Sequence, residues 1–287
     1  MRSCAEKNIG ISFVSNSGKF LGRVVGESRG NVLLRKEQYR IADDKLKRYP
    51  IARNFIIGKL FNAKWVLERC RRDHALRVVV DKLNVVSSFL SDSLKKVYEC
   101  CDDDSLRALE GNAAKAYFGV FDELLLQDKE NFFFHGRNRR PPLDRVNAML
   151  SFAYTLLSSE CICALETVGL DAYVGFMHRD RPGRASLALD LMEELRAIWT
   201  DRFVVTLINN RSVSGKDFII MENGSVVMDK DTRKNFLKLW QDRKKETIKH
   251  PYLNEKIEWG LVPYVQALLL ARYIRGDIDE YPPFLWK

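Results

Sequence analysis

One imidazole and a few carboxylates supply the chemistry that this sequence suggests first. His178 opens the stretch HRDRPGRASLALDLMEELR, a short loop upstream of a helix that carries Asp190, Glu193 and Glu194. Asp190 and Glu193 are three residues apart and so share a helical face. Sixty-eight residues before His178 stands Glu110, in SLRALEGNAAKAYF, with helix-forming neighbours and a glycine directly behind it. Carboxylates and a histidine from separate helices make a mixed oxygen and nitrogen ligand set. Such a set suits manganese, accepts magnesium and leaves positions open for water or a phosphate oxygen. Each residue also has a plainer reading. A single histidine is more often hydrogen-bonded structure than a ligand, and a single glutamate more often a surface acid. The acids after Leu187 have Arg184 and Arg196 as ion-pair partners. Spacing alone leaves both readings open.

The elements that must carry these residues are mostly helices. Leu187, Leu191, Leu195 and Ile198 form an apolar stripe flanked by Asp190 and Glu193. Acids beside such a stripe are partly desolvated, which is costly unless a cation sits nearby. Periodicity predicts helices over 31–42, 51–73, 84–97, 105–126, 143–169, 187–198, 231–249 and 261–275. Asp102, Asp103, Asp104 and Ser105 favour a helix start ahead of Glu110. The first thirty residues read instead as two short strands, 9–14 and 19–26, around a Ser-Asn-Ser-Gly turn. A second hairpin is expected near 217–228, around Asn223-Gly224. The expected class is α+β: a remnant of a β-rich domain and linker over 1–30, then a mainly helical domain over 31–287.

The net charge of +9 over 287 residues is concentrated, because residues 31–72 hold twelve Lys or Arg against four Asp or Glu. With Tyr39, Tyr49, Phe55, Phe61 and Trp65 among them, these cations read as a footprint for a polyanion. Arg53, Lys59 and Lys64 are its candidate contacts. A solvated helix face is the plainer alternative. A second basic cluster, Arg137, Arg139 and Arg140, crowds a loop that Pro141-Pro142 stiffens before a long apolar helix. It suits phosphate, or else pairing with Asp144 and nearby acids. The six cysteines show no zinc-site spacing and poor disulfide spacing, which points to reduced thiols and the cytoplasm. Residues 146–165 are the one long apolar stretch. Asn147, Thr155 and Glu160 within it favour a buried helix over a membrane span.

Several phrases, taken in order, carry a family resemblance: GRVVGESRGNVLLRKEQYRIAD, LRALEGNAAKAYF, GRNRRPPLDRVNAMLSFAYTLLSSE, HRDRPGRASLALDLMEELR and GLVPYVQALLLARYIRGDIDEYPPFLW. Together they resemble the CRISPR-associated integrase and endonuclease family often called Cas-one. The closing phrase resembles the branch that accompanies type I-C systems. The resemblance implies a β-rich N-terminal domain, a helical catalytic domain and a magnesium- or manganese-dependent enzyme. Such an enzyme inserts prespacer DNA at a CRISPR repeat, as a homodimer working with a small partner, Cas-two. It also implies that Glu110, His178 and Glu193 are the metal ligands and Asp190 an assisting catalytic residue. Relatives begin with several more strands, so the chain resembles a member lacking much of its N-terminal domain. That puts the homodimer in question and raises an alternative function, a catalytically impaired DNA-binding or assembly subunit.

Overall fold

In the computed structural model, which describes residues 2–7, 11–14, 20–24 and 31–287, helix starts follow short polar side chains. Asn31 Oδ1 accepts the Leu34 N–H at 3.2 Å and begins α2, Val32–Asp43. Asp102 accepts the N–H groups of Asp104 and Ser105 and begins α5, Asp103–Gly119. Asp144 does the same work for α6, Arg145–Thr167, accepting the Asn147 N–H at 2.7 Å. Its other oxygen takes Asn138 and Asn147 amides. Asp144 is therefore a cap and not the counter-ion that the neighbouring arginines suggested.

The remaining helices are α1 (Arg2–Glu6), α3 (Lys45–Asp73), α4 (Val80–Glu99), α7 (Ser186–Glu193), α8 (Arg202–Asn209), α9 (Lys230–Lys245) and α10 (Val262–Ile274). Helix α3 starts six residues before the expected position 51 and runs through Pro50. Proline there removes one hydrogen bond to the Leu46 carbonyl, and Leu46 is 87% exposed, so water can satisfy that oxygen. The expected helix over 187–198 ends at Glu193, and a π-helical stretch, Arg196–Asp201, leads into α8. The expected helix over 231–249 stops at Lys245 because β-branched Thr247 and Ile248 enter a strand.

Strands come only in antiparallel pairs among the described residues: β1 (Ile11–Val14) with β2 (Phe20–Val24), β3 (Phe218–Ile220) with β4 (Val226–Met228), and β5 (Thr247–Lys249) with β6 (Lys256–Glu258). The β1–β2 register shifts between Phe13 and Val14. The Ser-Asn-Ser-Gly turn and the domain boundary expected after residue 30 fall on residues outside those described. The class is α+β with helices dominant.

The chain divides into two compact units. The first comprises Met1–Gly58, Thr155–Glu194 and Lys245–Leu285. Its core joins Leu34 and Ile41 of α2, Phe55 and Ile56 of α3, Leu157 and Leu165 of α6, Leu187 and Leu191 of α7, and Leu269 and Leu270 of α10, all buried. The second comprises Lys59–Tyr154, Leu195–Lys244 and Trp286–Lys287. There α4 turns Leu83, Leu90 and Val97 inward, and Trp199 stacks on Trp240 with ring centroids 5.5 Å apart. Truncating any of these large buried side chains to alanine costs about 2–5 kcal/mol. Helix α6 is long and apolar enough to cross a bilayer by length and composition. Its buried residues include Val146, Met149, Leu150, Leu157, Cys161 and Leu165, together with the hydrogen-bonded Asn147.

Candidate metal and nucleic-acid site

His178 sits on the loop between α6 and α7, in the first unit. The loop is pinned from α2 by Gln38, which is fully buried. Its amide donates to the carbonyls of Asp171 and Val174 at 2.8 and 2.9 Å and accepts the Asp171 N–H at 2.9 Å. The far end of the loop closes on Asp190. One carboxylate oxygen accepts the N–H groups of Phe176 and Met177 at 2.7 and 2.9 Å. The other accepts the His178 N–H at 2.9 Å and lies 2.5 Å from His178 Nδ1. Three successive amides thus converge on one buried acid. That closeness requires Gly175: a Cβ there would lie 2.8 Å from Ser186 Cβ, 2.9 Å from Asp190 Oδ2 and 3.0 Å from the His178 carbonyl oxygen.

This arrangement settles the imidazole tautomer. Nδ1 donates to the Asp190 carboxylate, so in the neutral ring Nε2 carries the lone pair, and it lies 4.0 Å from Glu193 Oε1. A ring oriented by a carboxylate behind it is the arrangement that supports a metal-binding histidine. His178 Nε2 and Glu193 Oε1 offer the nitrogen and oxygen donors that manganese or magnesium accepts. Asp190 takes part differently. Both of its oxygens are engaged with the loop, so it holds the histidine and has no open position of its own.

Glu110 lies on α5 in the second unit, ion-paired with Lys59, both partly buried. Lys59 is thereby a partner of Glu110. Among the described residues, no group of three or more His, Cys, Asp and Glu side chains is arranged to hold a metal ion. Of the six candidate DNA contacts, Arg139 and Arg140 are exposed. Arg53 pairs with Glu280 at 3.2 Å, and Lys64 reaches Ser91 Oγ at 3.3 Å.

Arg137 turns inward. It donates to Asn147 Oδ1 at 2.6 Å and Ser151 Oγ at 3.1 Å, and its guanidinium stands 5.2 Å from the Tyr154 ring centre. Beneath it is Asp201, a buried acid accepting the phenols of Tyr154 and Tyr117 at 2.6 and 3.2 Å. Burial pushes the Asp201 carboxyl up to about 6 from 3.8, against the pull of the two phenols. Between these values the folded protein holds a proton that the unfolded chain releases, so stability falls as pH rises from about 4 to about 6 and is level above. Urea unfolding of parent and Asp201→Asn between pH 4.5 and 7.5 checks this. The parent-minus-variant stability should decline by roughly 2 kcal/mol over that range, and a flat difference would refute it.

Sequence reasoning missed Gln38, Gly175 and the Tyr117–Tyr154–Asp201 cluster. Only the buried polar character of Gln38 on an apolar helix face offered a signal.

Comparison with known proteins shows the family to which the chain belongs. Residues 1–242 match the family described as CRISPR associated protein Cas1. CRISPR-associated endonuclease Cas1 1 of Chlorobaculum tepidum is 48% identical over 284 residues, covering 99% of this chain and 83% of that protein. CRISPR-associated endonuclease Cas1 2 of Rhodospirillum rubrum is 46% identical over 291 residues, covering 100% and 84%. A solved structure of a casposase bound to integration product superposes with a TM-score of 0.85 at 27% identity, covering 99% of this chain and 76% of that one. With a family match over most of its length and close relatives spanning nearly all of it, the chain belongs to the Cas1 family of CRISPR-associated endonucleases.

Proposed function

We propose that the protein is a divalent-metal-dependent DNA endonuclease and integrase of CRISPR adaptation, acting in the cytoplasm on prespacer and repeat DNA with a Cas-two partner. The observation that carries this reading is the histidine held by Asp190 with Nε2 turned toward Glu193, in a chain of the Cas1 family. In this reading Glu110, His178 and Glu193 would hold magnesium or manganese, and the ion when bound would supply polarisation of the phosphoryl oxygen and charge stabilisation at the leaving oxygen. Asp190 keeps His178 in the tautomer that can bind. The nucleophile is the 3′-hydroxyl of the captured DNA, which attacks a phosphodiester at the repeat boundary; water in its place gives strand cleavage. Arg139 and Arg140, exposed on the loop before α6, neutralise DNA phosphates. Lys59 shifts from Glu110 to let the carboxylate bind.

The test is transfer of a fluorescent prespacer into a repeat-containing plasmid with Cas-two and manganese present, comparing the parent with Glu110→Gln. Transfer by the parent and a loss of about a hundredfold or more in the variant are expected. Salt-sensitive DNA binding by the parent without any transfer would replace this reading with that of an assembly subunit.

A further inference from the structure

Glu194 follows directly after Glu193 and is fully buried, yet no step of the proposed chemistry uses it. Its surroundings are built with care. Tyr281 donates its phenol to Oε1, and the Phe284 N–H and the Gln266 amide donate to Oε2, the latter at 3.1 Å. Gln266, on α10, also donates to the Tyr281 oxygen at 2.8 Å and the Pro282 carbonyl at 3.2 Å. The acceptor end of Gln266 is set in turn by His250. Leu253 donates its N–H to His250 Nδ1 at 3.2 Å, so Nε2 carries the proton and donates to Gln266 Oε1 at 3.1 Å. That fixes which end of the Gln266 amide faces Glu194. On the other side, Gly58 of α3 leaves no room for a Cβ, which would lie 2.9 Å from Glu194 Cγ. The tail itself is anchored by Asn54, whose amide donates to the Tyr281 carbonyl at 2.7 Å and to Glu280 at 3.0 Å.

All of these groups belong to the first compact unit, as do His178 and Glu193. Successive side chains on a helix point about 100° apart. Glu193 and Glu194 therefore cannot turn independently: rotating the last turn of α7 to relieve one displaces the other. The helix ends here, with Glu193 its last residue. The chain keeps helical backbone angles through Glu194 and Leu195 into the π-helical stretch, so what a lock must prevent is rotation of α7 at this junction, which would spread the 4.0 Å spacing between His178 Nε2 and Glu193 Oε1.

We propose that Tyr281 and Gln266 are positioning residues that fix Glu193 through Glu194, so that the segment Tyr281–Phe284 is a strap setting the geometry of the metal ligands. The proposal rests on the reading of Glu193 as a ligand. Tyr281→Phe removes one hydroxyl and keeps the ring against Phe55, 5.2 Å away.

Manganese bound to the full chain is counted by electron paramagnetic resonance for the parent, Tyr281→Phe and Glu193→Gln, with manganese-dependent cleavage of branched DNA measured alongside. Tyr281→Phe should weaken manganese binding about tenfold, the scale of one strong hydrogen bond. Its cleavage rate at saturating manganese should stay within about twofold of the parent, a split that general destabilisation would not give. Glu193→Gln should lose the binding. If Glu193→Gln binds as the parent does, the ligand reading fails. If it loses binding while Tyr281→Phe matches the parent, the strap alone fails. Hydrogen exchange on the parent makes the same test without a variant. Coupling is reciprocal, so manganese should slow exchange of the Tyr281, Phe284 and Leu285 amides by about tenfold, and unchanged rates would overturn the proposal.

Discussion

His178→Ala should reduce manganese-dependent cleavage of branched DNA by about a thousandfold or more while leaving DNA affinity within about twofold of the parent. The imidazole is 19% exposed and its Nδ1 is committed to Asp190, so what alanine removes at the surface is one nitrogen donor. Water cannot replace that donor with the same fixed direction. The cations that meet DNA in the proposed reading, Arg139 and Arg140, lie elsewhere in the chain and keep their exposure. Cleavage read on a sequencing gel and binding read by fluorescence anisotropy separate the two effects. Parental cleavage by the variant would remove His178 from the mechanism. A parallel loss of binding would show that the loop serves DNA contact instead.

The second large effect is expected at Asp190. Asp190→Asn keeps the shape but replaces one acceptor oxygen with an N–H₂ donor. Whichever way the amide turns, that donor faces other donors. In one orientation it meets the Phe176 and Met177 amides, in the other the His178 amide and ring. Leaving such buried groups unpaired costs roughly 3 kcal/mol in all, which lowers the melting temperature by about 6–10 °C. The measurement is a thermal melt in the presence of a chelator. If Asp190 were chiefly a metal ligand, removing its charge from beside Glu193 would raise the stability of the metal-free protein. An anchor for the loop requires the melting temperature to fall. A rise would return Asp190 to the ligand set.

Much of the helical frame was legible because its signals are local. Asn31, the acids before Ser105 and the leucine stripe of α7 each act within a turn of where they stand, and the helices that they start or line are present. Helix α3 starts six residues earlier than expected, at Lys45, and runs through Pro50, which a helix tolerates close to its start. Helix α8 and the β5–β6 pair were missed because each is short, and apolar runs of that length fit either period.

The candidate site was legible in its side chains and hidden in its backbone. The spacing of Asp190 and Glu193 is printed in the sequence, but the three amides that close on Asp190 have no residue type to announce them. Glu194 looked like a third acid of the same helix. Its partners, Gln266 and Tyr281, stand 72 and 87 residues away, beyond any periodic pattern. Arg137 read as one of three equivalent guanidiniums until Tyr154 and Asp201 supplied it with a buried environment.

The three acids in and just after α7 differ in the field they present. Asp190 is met by amide dipoles and an imidazole N–H, and Glu194 by a phenol and two amides. The Asp190 charge is absorbed where it lies, and burial pushes the Glu194 carboxyl up to about 8, so it carries little charge near neutral pH; Glu193 is left as the acid that adjoins His178 Nε2. Counting carboxylates along the helix therefore overstates its pull on a cation. Because charge count sets how tightly oxygen sites retain hard ions, an ion bound beside His178 would be held by Glu193 and, in the proposed reading, Glu110, and less tightly than the acids of α7 alone would suggest. Its occupancy would track the concentration of free divalent ions around it.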